Sequence, residues 1–492
     1  MHLVENPYIC DWSPVGLYSC ACALHINRRA ATVSSVVKKR QSNSKYVVAH
    51  HIVGNTYPYT VDDWANDIAL ASGHGIDAFA LNVGNESFEY DRVADAYTAA
   101  QNSGAGFKLF FSFDMSSLAC STPQDAAYLV GNVTKYASHP NQFKYDNLVF
   151  VSTFSGETCT FGQGSVSQGW QTQFIDNLSG ANAVYFVPSF FVDPTTFSTY
   201  NSVMNGAFNW NSGWPISLTT DVANQQLSAA GTSLDNLDSN GETILQSYIC
   251  ATDTDKSYIS GISAMSQTAT NRAYMAAVSP WFFTHYGPDT YNKNWIYLAD
   301  WHLYPRRWQN LVSLRTSVDI VEIITWNDYG ESHYLGPIEG AQPNSQSWVD
   351  GFDHQGWLDM TPYFSAAFKT GSYPAITQDK IYLWARPHPR NATASADSVG
   401  PPTSYQLADQ LWAVVMTTAD STVTLSTSST NSKNFSVNAG LSLLNMPLTP
   451  GGSMSGVISR NNQSIVSLSP SGYTFNPNPT TYNYNAFVAY SH

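Results

Sequence analysis

From residue 45 to about 374 the chain repeats one pattern. A short apolar run, often β-branched, gives way to a turn carrying polar or aromatic residues, and then to apolar positions at helical spacing. The apolar runs predict strands at 46–54, 78–84, 108–115, 148–157, 184–191, 207–211, 275–285 and 321–327. Unbroken apolar runs between turn signals are what strands covered on both faces of a parallel sheet require. Thr60 followed by Asp63 predicts a capped helix start. Trp64, Ile68 and Ala71 continue that helix until Gly73 and Gly75 stop it. Residues 90–103, a segment opened by Pro123, 295–312 and 363–371 predict further helices, and the Ser/Asp-rich 213–270 is expected to be helical only in part.

Beyond Pro374 the period changes. Residues 381–385, 410–417, 422–426, 434–437 and 456–468 alternate apolar with Ser, Thr or Asn and are separated by Pro-Pro, Asn-Ala-Gly and Pro-Gly-Gly turns. Short period-2 runs at this spacing predict an antiparallel β-sandwich. Eight strand–helix units before it predict an α/β fold, a (β/α)8 TIM barrel within its usual ~200 to 400 residues. A doubly wound sheet fits less well, because no strand runs into a glycine-rich phosphate turn. The expected organisation is a disordered arm over 1–44, a catalytic barrel over 45–374 and a β-sandwich accessory domain over 375–492.

Composition narrows the function classes. Charged residues are only 12% of the chain while aromatics reach 14%, with 14 Trp and 29 Tyr. Charge at half the usual ~25%, beside many aromatic and small polar groups, suits neutral carbohydrate, which stacks on rings and hydrogen-bonds to hydroxyls and amides. A net charge of −14 repels nucleic acid and anionic membrane surfaces, and no apolar run approaches the ~18 residues of a membrane span. Cys10, Cys20 and Cys22 fall in the arm, and Cys120, Cys159 and Cys250 in the body. A single body pair would leave one over, and the pairing stays open. Asn-x-Ser/Thr acceptors at Asn85, Asn132, Asn177, Asn391, Asn434 and Asn462 agree with a secretory route. Residues 16–26 are too interrupted for a signal-peptide core.

The predicted strand ends carry the candidate chemistry. In a barrel they surround one mouth, so Asp114, Glu157, Asp328 and Glu331 can face a common substrate. Trp210, Trp281, His285, Tyr286, Trp326 and Tyr329 are expected along the same rim. Glycosidic cleavage needs one carboxyl to protonate the leaving oxygen and another to activate water or attack the anomeric carbon. Asp328 and Glu331, at the end of an apolar strand and flanked by Trp326, Asn327, Gly330 and His333, are the expected pair. The first assignment makes Glu331 the acid and Asp328 the base, and the reverse stays open. Carboxyls ~6.5–9.5 Å apart favour inversion and ~5–5.5 Å retention, and a three-residue spacing decides neither. Glu322, deeper in the strand, is expected to be a satisfied polar group near the barrel floor. His50, His51, His285, His302 and His333 show no His-Glu-x-x-His or paired metal-ligand spacing. No metal, cofactor, nucleophile elbow or Walker loop is expected.

Four stretches together are familiar: 49–55 (AHHIVGN), 75–84 (GIDAFALNVG), 110–115 (FFSFDM) and, above all, 322–334 (EIITWNDYGESHY). On these the chain resembles glycoside hydrolase family seventy-one, the fungal α-1,3-glucanases or mutanases, over about 45–490. The resemblance implies a barrel with an attached β-sandwich, inverting hydrolysis of α-1,3-glucan in fungal cell walls, and an acid pair at Asp328 and Glu331. The full set of candidate substrate contacts is His51, Asp114, Glu157, Trp210, Trp281, His285, Asp300, Trp326, Asn327, Tyr329 and His333. The sequence departs from the family pattern at His302-Leu303-Tyr304-Pro305-Arg306. An endo-α-mannosidase-like glycosidase and an inactive glucan-binding wall protein are the competing identities. A secreted or wall-associated monomer acting on α-1,3-glucan is expected, with neither nucleic acid nor membrane as partner.

Overall fold

The computed structural model describes residues 44–104, 106–266, 271–403 and 407–492. The arm expected over 1–44, with Cys10, Cys20 and Cys22, lies outside the described residues apart from Ser44. Eight parallel strands follow: β1 (Tyr46–Ile52), β2 (Ala78–Val83), β3 (Lys108–Asp114), β4 (Leu148–Phe154), β5 (Val184–Ser189), β6 (Gly206–Asn209), β7 (Ala273–Val278) and β8 (Ile320–Ile323). They pair in the order β5-β4-β3-β2-β1-β8-β7-β6, with β1 between β2 and β8. The two end strands share no ladder. Asn205, just before β6, bridges them: its N–H donates to Phe186 O (2.8 Å) and its Oδ1 accepts from Phe186 N (2.9 Å). The side-chain amide takes the place of a neighbouring strand's backbone at that seam.

Helices α1 (Val61–Gly73), α2 (Glu89–Ser103), α3 (Pro123–Tyr136), α4 (Thr220–Ala229), α5 (Ser239–Ile249), α6 (Asp253–Ala264), α7 (Leu303–Ser313) and α8 (Gln355–Thr370) cover the sheet. The start of α1 matches expectation in detail: Thr60 accepts from Asp63 N, and Asp63 accepts from Thr60 N. Strand parity sorts β1. Ala49 and His51 face the helices, where His51 meets Trp64 and Phe79, while His50 reaches across the interior to Trp210, which follows β6.

Several elements differ from the sequence reading: 295–312, expected as a helix, opens on a short strand and turns helical only at Leu303, and strands at Gly440–Pro447 and Phe487–Tyr490 were not expected. The run at 275–285 breaks at Ser279-Pro280, where proline offers no N–H for a ladder; Phe283–His285 then pairs antiparallel with Asn294–Ile296. The last helix starts at Gln355 rather than 363, because Pro362 lies within it and not at its edge. The run at 456–468 is a hairpin turned by Asn461 and Asn462, both left-handed (φ 51° and 61°), as a tight hairpin turn demands.

The C-terminal strands are β9 (Lys380–Ala385), β10 (Gln410–Thr417), β11 (Ser421–Ser428), β12 (Asn431–Val437), β13 (Gly440–Pro447), β14 (Ser455–Arg460), β15 (Gln463–Leu468) and β16 (Phe487–Tyr490). They form two antiparallel sheets, β13-β10-β9-β16 and β12-β11-β14-β15. Ile381, Leu383, Leu411, Ala413 and Val415 of the first pack on Val423, Leu425 and Ile458 of the second. The opposite face of the first sheet, with Tyr382, Trp384, Trp412 and Val414, joins the core of the parallel sheet. A sheet buried on both faces ties the two halves together. Cys120 and Cys159 form a disulfide between the loops after β3 and β4.

Candidate active site

The loop that leaves β8 is closed on itself. Thr325 N donates to His333 O (2.7 Å), Leu335 N donates to Thr325 O (3.1 Å), and Asp328 N donates to Thr325 Oγ1 (2.8 Å). Asn327 locks it to the end of β1: its Oδ1 accepts from Ile52 N (2.7 Å) and its Nδ2 donates to Ile52 O (3.0 Å). Asn55 Nδ2 adds a bond to Asn327 O (2.9 Å). Tyr329 points inward, donating to Pro337 O and accepting from Glu339 N, each at 2.9 Å. At Gly330 an added Cβ would sit 2.4 Å from Tyr286 Oη, so only glycine lets that ring cover the loop. The loop is thereby rigid, and Asp328 and Glu331 are its carboxylates left in contact with solvent, 21% and 20% exposed.

Two cations attend them. His333 Nε2, fully buried, lies 3.0 Å from Asp328 Oδ2 and 3.3 Å from Glu331 Oε2, and Lys293 Nζ lies 2.8 Å from Glu331 Oε1. Burial opposes ionisation of Glu331, but Lys293 first and His333 next outweigh it and hold the carboxyl down at about 2. Burial likewise disfavours a charged His333, yet Asp328 and Glu331 raise it to about 9. At neutral pH Glu331 is therefore ionised and His333 protonated. One carboxyl oxygen from each acid and an imidazole nitrogen lie within 4.8 Å of one another, a spacing that could hold a metal ion. The ammonium on Glu331 and the imidazolium proton already fill the role a cation would take.

Asp114, at the end of β3, and Trp210, just past β6, are half-buried on the same rim. Burial raises the Asp114 carboxyl, opposed by bonds from Ser116 and by the charges of His50 and Lys293. Glu157 stands on the β4 side, where it accepts from Ser155 Oγ (3.1 Å) and Phe191 N (3.3 Å).

The other expected contacts are placed elsewhere. His51 is buried against α1, its Nε2 3.0 Å from Asp67. Trp326 is buried against Phe79, and Asn327 and Tyr329 are the buried braces just described. Trp281, His285 and Asp300 belong to the joint with the C-terminal sheets. The Arg386 guanidinium lies over the Trp281 ring at 4.4 Å and ion-pairs with Asp300, and Trp281 Nε1 donates to Tyr484 O (2.9 Å). His285 sits between Asn294 and Asp397, 2.8 Å from each. Two residues at the site were not anticipated. Lys293 lies in a loop with no pattern to mark it, and parity says only that His50 and His51 face opposite sides of β1, not which of them enters the interior.

The sequence matches Glycosyl hydrolase family 71 over residues 43–492. It is 39% identical over 449 residues to a glucan endo-1,3-alpha-glucosidase of Schizosaccharomyces pombe, covering 90% of this chain and 94% of that protein. It is 33% identical to an ascus wall endo-1,3-alpha-glucanase of the same yeast, covering 82% and 86%. With a mutanase of Penicillium rubens it shares 31% identity, covering 91% and 89%. By a match that runs through both the parallel sheet and the C-terminal sheets, this chain belongs to glycosyl hydrolase family 71.

Proposed function

We propose that this protein hydrolyses α-1,3-glucosidic linkages of fungal cell-wall α-1,3-glucan, with Asp328 and Glu331 as the working carboxyls. The observation that carries this is the pair itself: two partly exposed acids on a braced loop at the end of β8, sharing His333, in a chain similar to a glucan endo-1,3-alpha-glucosidase, an endo-1,3-alpha-glucanase and a mutanase. Glu331, held ionised by Lys293 and His333, suits the base, which leaves the acid's role to Asp328. This reverses the order expected first. Inversion requires the two carboxyls to part around a water, because their nearest oxygens lie within 4.8 Å and an inverting pair stands ~6.5–9.5 Å apart. Asn205 supports closure of the eight strands into a full barrel, with all strand ends on one mouth. The Cys120–Cys159 disulfide supports an oxidising, secreted setting, and no helix among the described residues is long and apolar enough to cross a membrane.

The test is reducing-sugar release from insoluble α-1,3-glucan by Asp328→Asn and Glu331→Gln, with the product anomer followed by NMR at early times. Loss of at least ~1,000-fold in both, with unchanged melting temperature, is expected for groups that act in the transition state. Near wild-type turnover in both variants would sink the assignment. Glucan pull-down without sugar release by the wild type would point to a binding protein, and cleavage of α-mannan alone to the mannosidase-like alternative.

A further inference from the structure

We propose that His50, held by Glu322, is a substrate-binding residue whose Nε2–H donates to a hydroxyl of the glucosyl unit seated beside Asp114 and Trp210. This rests on the functional reading above and adds a subsite to it.

Glu322 is wholly buried on the interior face of β8, and its one described partner is His50 Nδ1, 2.6 Å from Oε1. Its other oxygen, Oε2, has no hydrogen-bond partner among the described residues. A buried carboxylate facing a neutral ring would leave a net charge in the interior, at a cost of several kcal/mol. The pair avoids that in two ways. Either the imidazole is protonated against an ionised carboxyl, or a protonated carboxyl donates to a neutral ring. Burial pushes the Glu322 carboxyl upward, and the His50 contact opposes this only in part. Both neutral forms put a hydrogen on Nε2. In either case His50 presents a donor on the side away from Glu322.

That nitrogen has no described acceptor and is not one of the buried polar atoms left without a partner, so it opens onto the site although the ring is otherwise buried. A donor open to the site on an otherwise buried ring can bond whatever fills that site. The surroundings say what. Trp210 meets the imidazole edge-on at 4.8 Å and is itself half-buried, leaving ring surface open. Asp114 lies close enough for the two charges to act on each other, and its Oδ1 is taken by Ser116. Donor, acceptor and aromatic wall come from β1, β3 and the turn after β6. Together they match a pyranose, which offers a hydroxyl oxygen, a hydroxyl hydrogen and an apolar C–H face.

The experiment uses Glu331→Gln as an inactive background and measures binding of a soluble α-1,3-linked gluco-oligosaccharide by calorimetry. Adding His50→Leu is expected to weaken binding at least tenfold. His50→Gln, which keeps a donor, should recover most of that loss, and Glu322→Leu, which frees the ring, should fall between. Binding within twofold in a folded His50→Leu variant, or equal losses in His50→Leu and His50→Gln, would overturn the inference. Should His50→Leu fail to fold, the imidazole N–H signals of ¹⁵N-histidine-labelled Glu331→Gln protein decide. A shifted His50 Nε2–H on adding oligosaccharide supports the contact, and an unmoved one refutes it. Wild-type cleavage by Glu331→Gln would instead strike the functional reading on which the subsite rests.

Discussion

Replacing Lys293 by methionine tests the electrostatics of the site directly. The ammonium lies 2.8 Å from Glu331 Oε1, and methionine keeps most of the apolar stem while removing the charge. Glu331 stands at about 2 against an ordinary 4.5. That gap, 4.5 − 2, corresponds to about 3 kcal/mol in favour of the ionised form, at about 1.36 kcal/mol per pH unit. The charge of Lys293 is the largest single influence opposing burial, so its loss should return a substantial part, about 1.5 kcal/mol. The sign follows from the role. A base works ionised, so activity is lost as pH falls through its pKa. The acid limb of kcat/KM, which reports the free enzyme, should move from about 2 in the wild type to about 3 in Lys293→Met. The assay is oligosaccharide hydrolysis from pH 2 to 8, with the folded fraction checked by circular dichroism at each pH. An acid limb that stays in place would show that Glu331 is not the titrating base. A uniform fall in kcat/KM without movement of the limb would make Lys293 a substrate contact instead.

Other outcomes follow from the same geometry. His333 is raised from 6.5 to about 9, so its ion pairs contribute stability that is complete below about 6.5 and lost as pH climbs through about 9. Melting temperature should fall across that range in the wild type but not in His333→Phe, and a flat wild-type profile refutes it. Gly330→Ala would press its methyl onto Tyr286 Oη, which is anchored to Pro343 O at 2.6 Å, costing about 1–3 kcal/mol. Tyr286→Phe should restore part of that in the double variant, as read by chemical denaturation. Arg386→Leu leaves Asp300 buried and unpaired, a loss of about 3–5 kcal/mol. Its kcat per folded molecule should stay near wild type, because the pair lies at the joint and not at the acids; a large kcat defect would place it in the catalytic machinery.

The motif around Asp328 illustrates how far local reading reaches. Trp326, Asn327, Tyr329 and His333 stood together in one stretch with the two acids, and all looked like sugar contacts. Four of the six residues are buried, and three of those four brace the loop or fill the core. Here the residues beside the acids in sequence serve more to hold the loop than to face the site. At the joint between the parallel sheet and the C-terminal sheets the mismatch has a different source. Asp300, His285 and Trp281 resemble rim residues until Arg386, Asp397 and Tyr484 arrive from 86, 112 and 203 positions downstream.

The linear pattern of this chain determined the strand–helix alternation, the capped start of α1, the change to antiparallel strands after Pro374 and the stretch bearing the acids. Each depends on neighbours within a few residues, where side-chain period, turn chemistry and capping act. The tertiary structure alone decided that His50 and not His51 enters the interior, that Lys293 meets Glu331, and that Asn205 spans the seam. Those outcomes depend on which distant groups share a low-dielectric space. There a charge or an unpaired donor must find a partner wherever the fold supplies one.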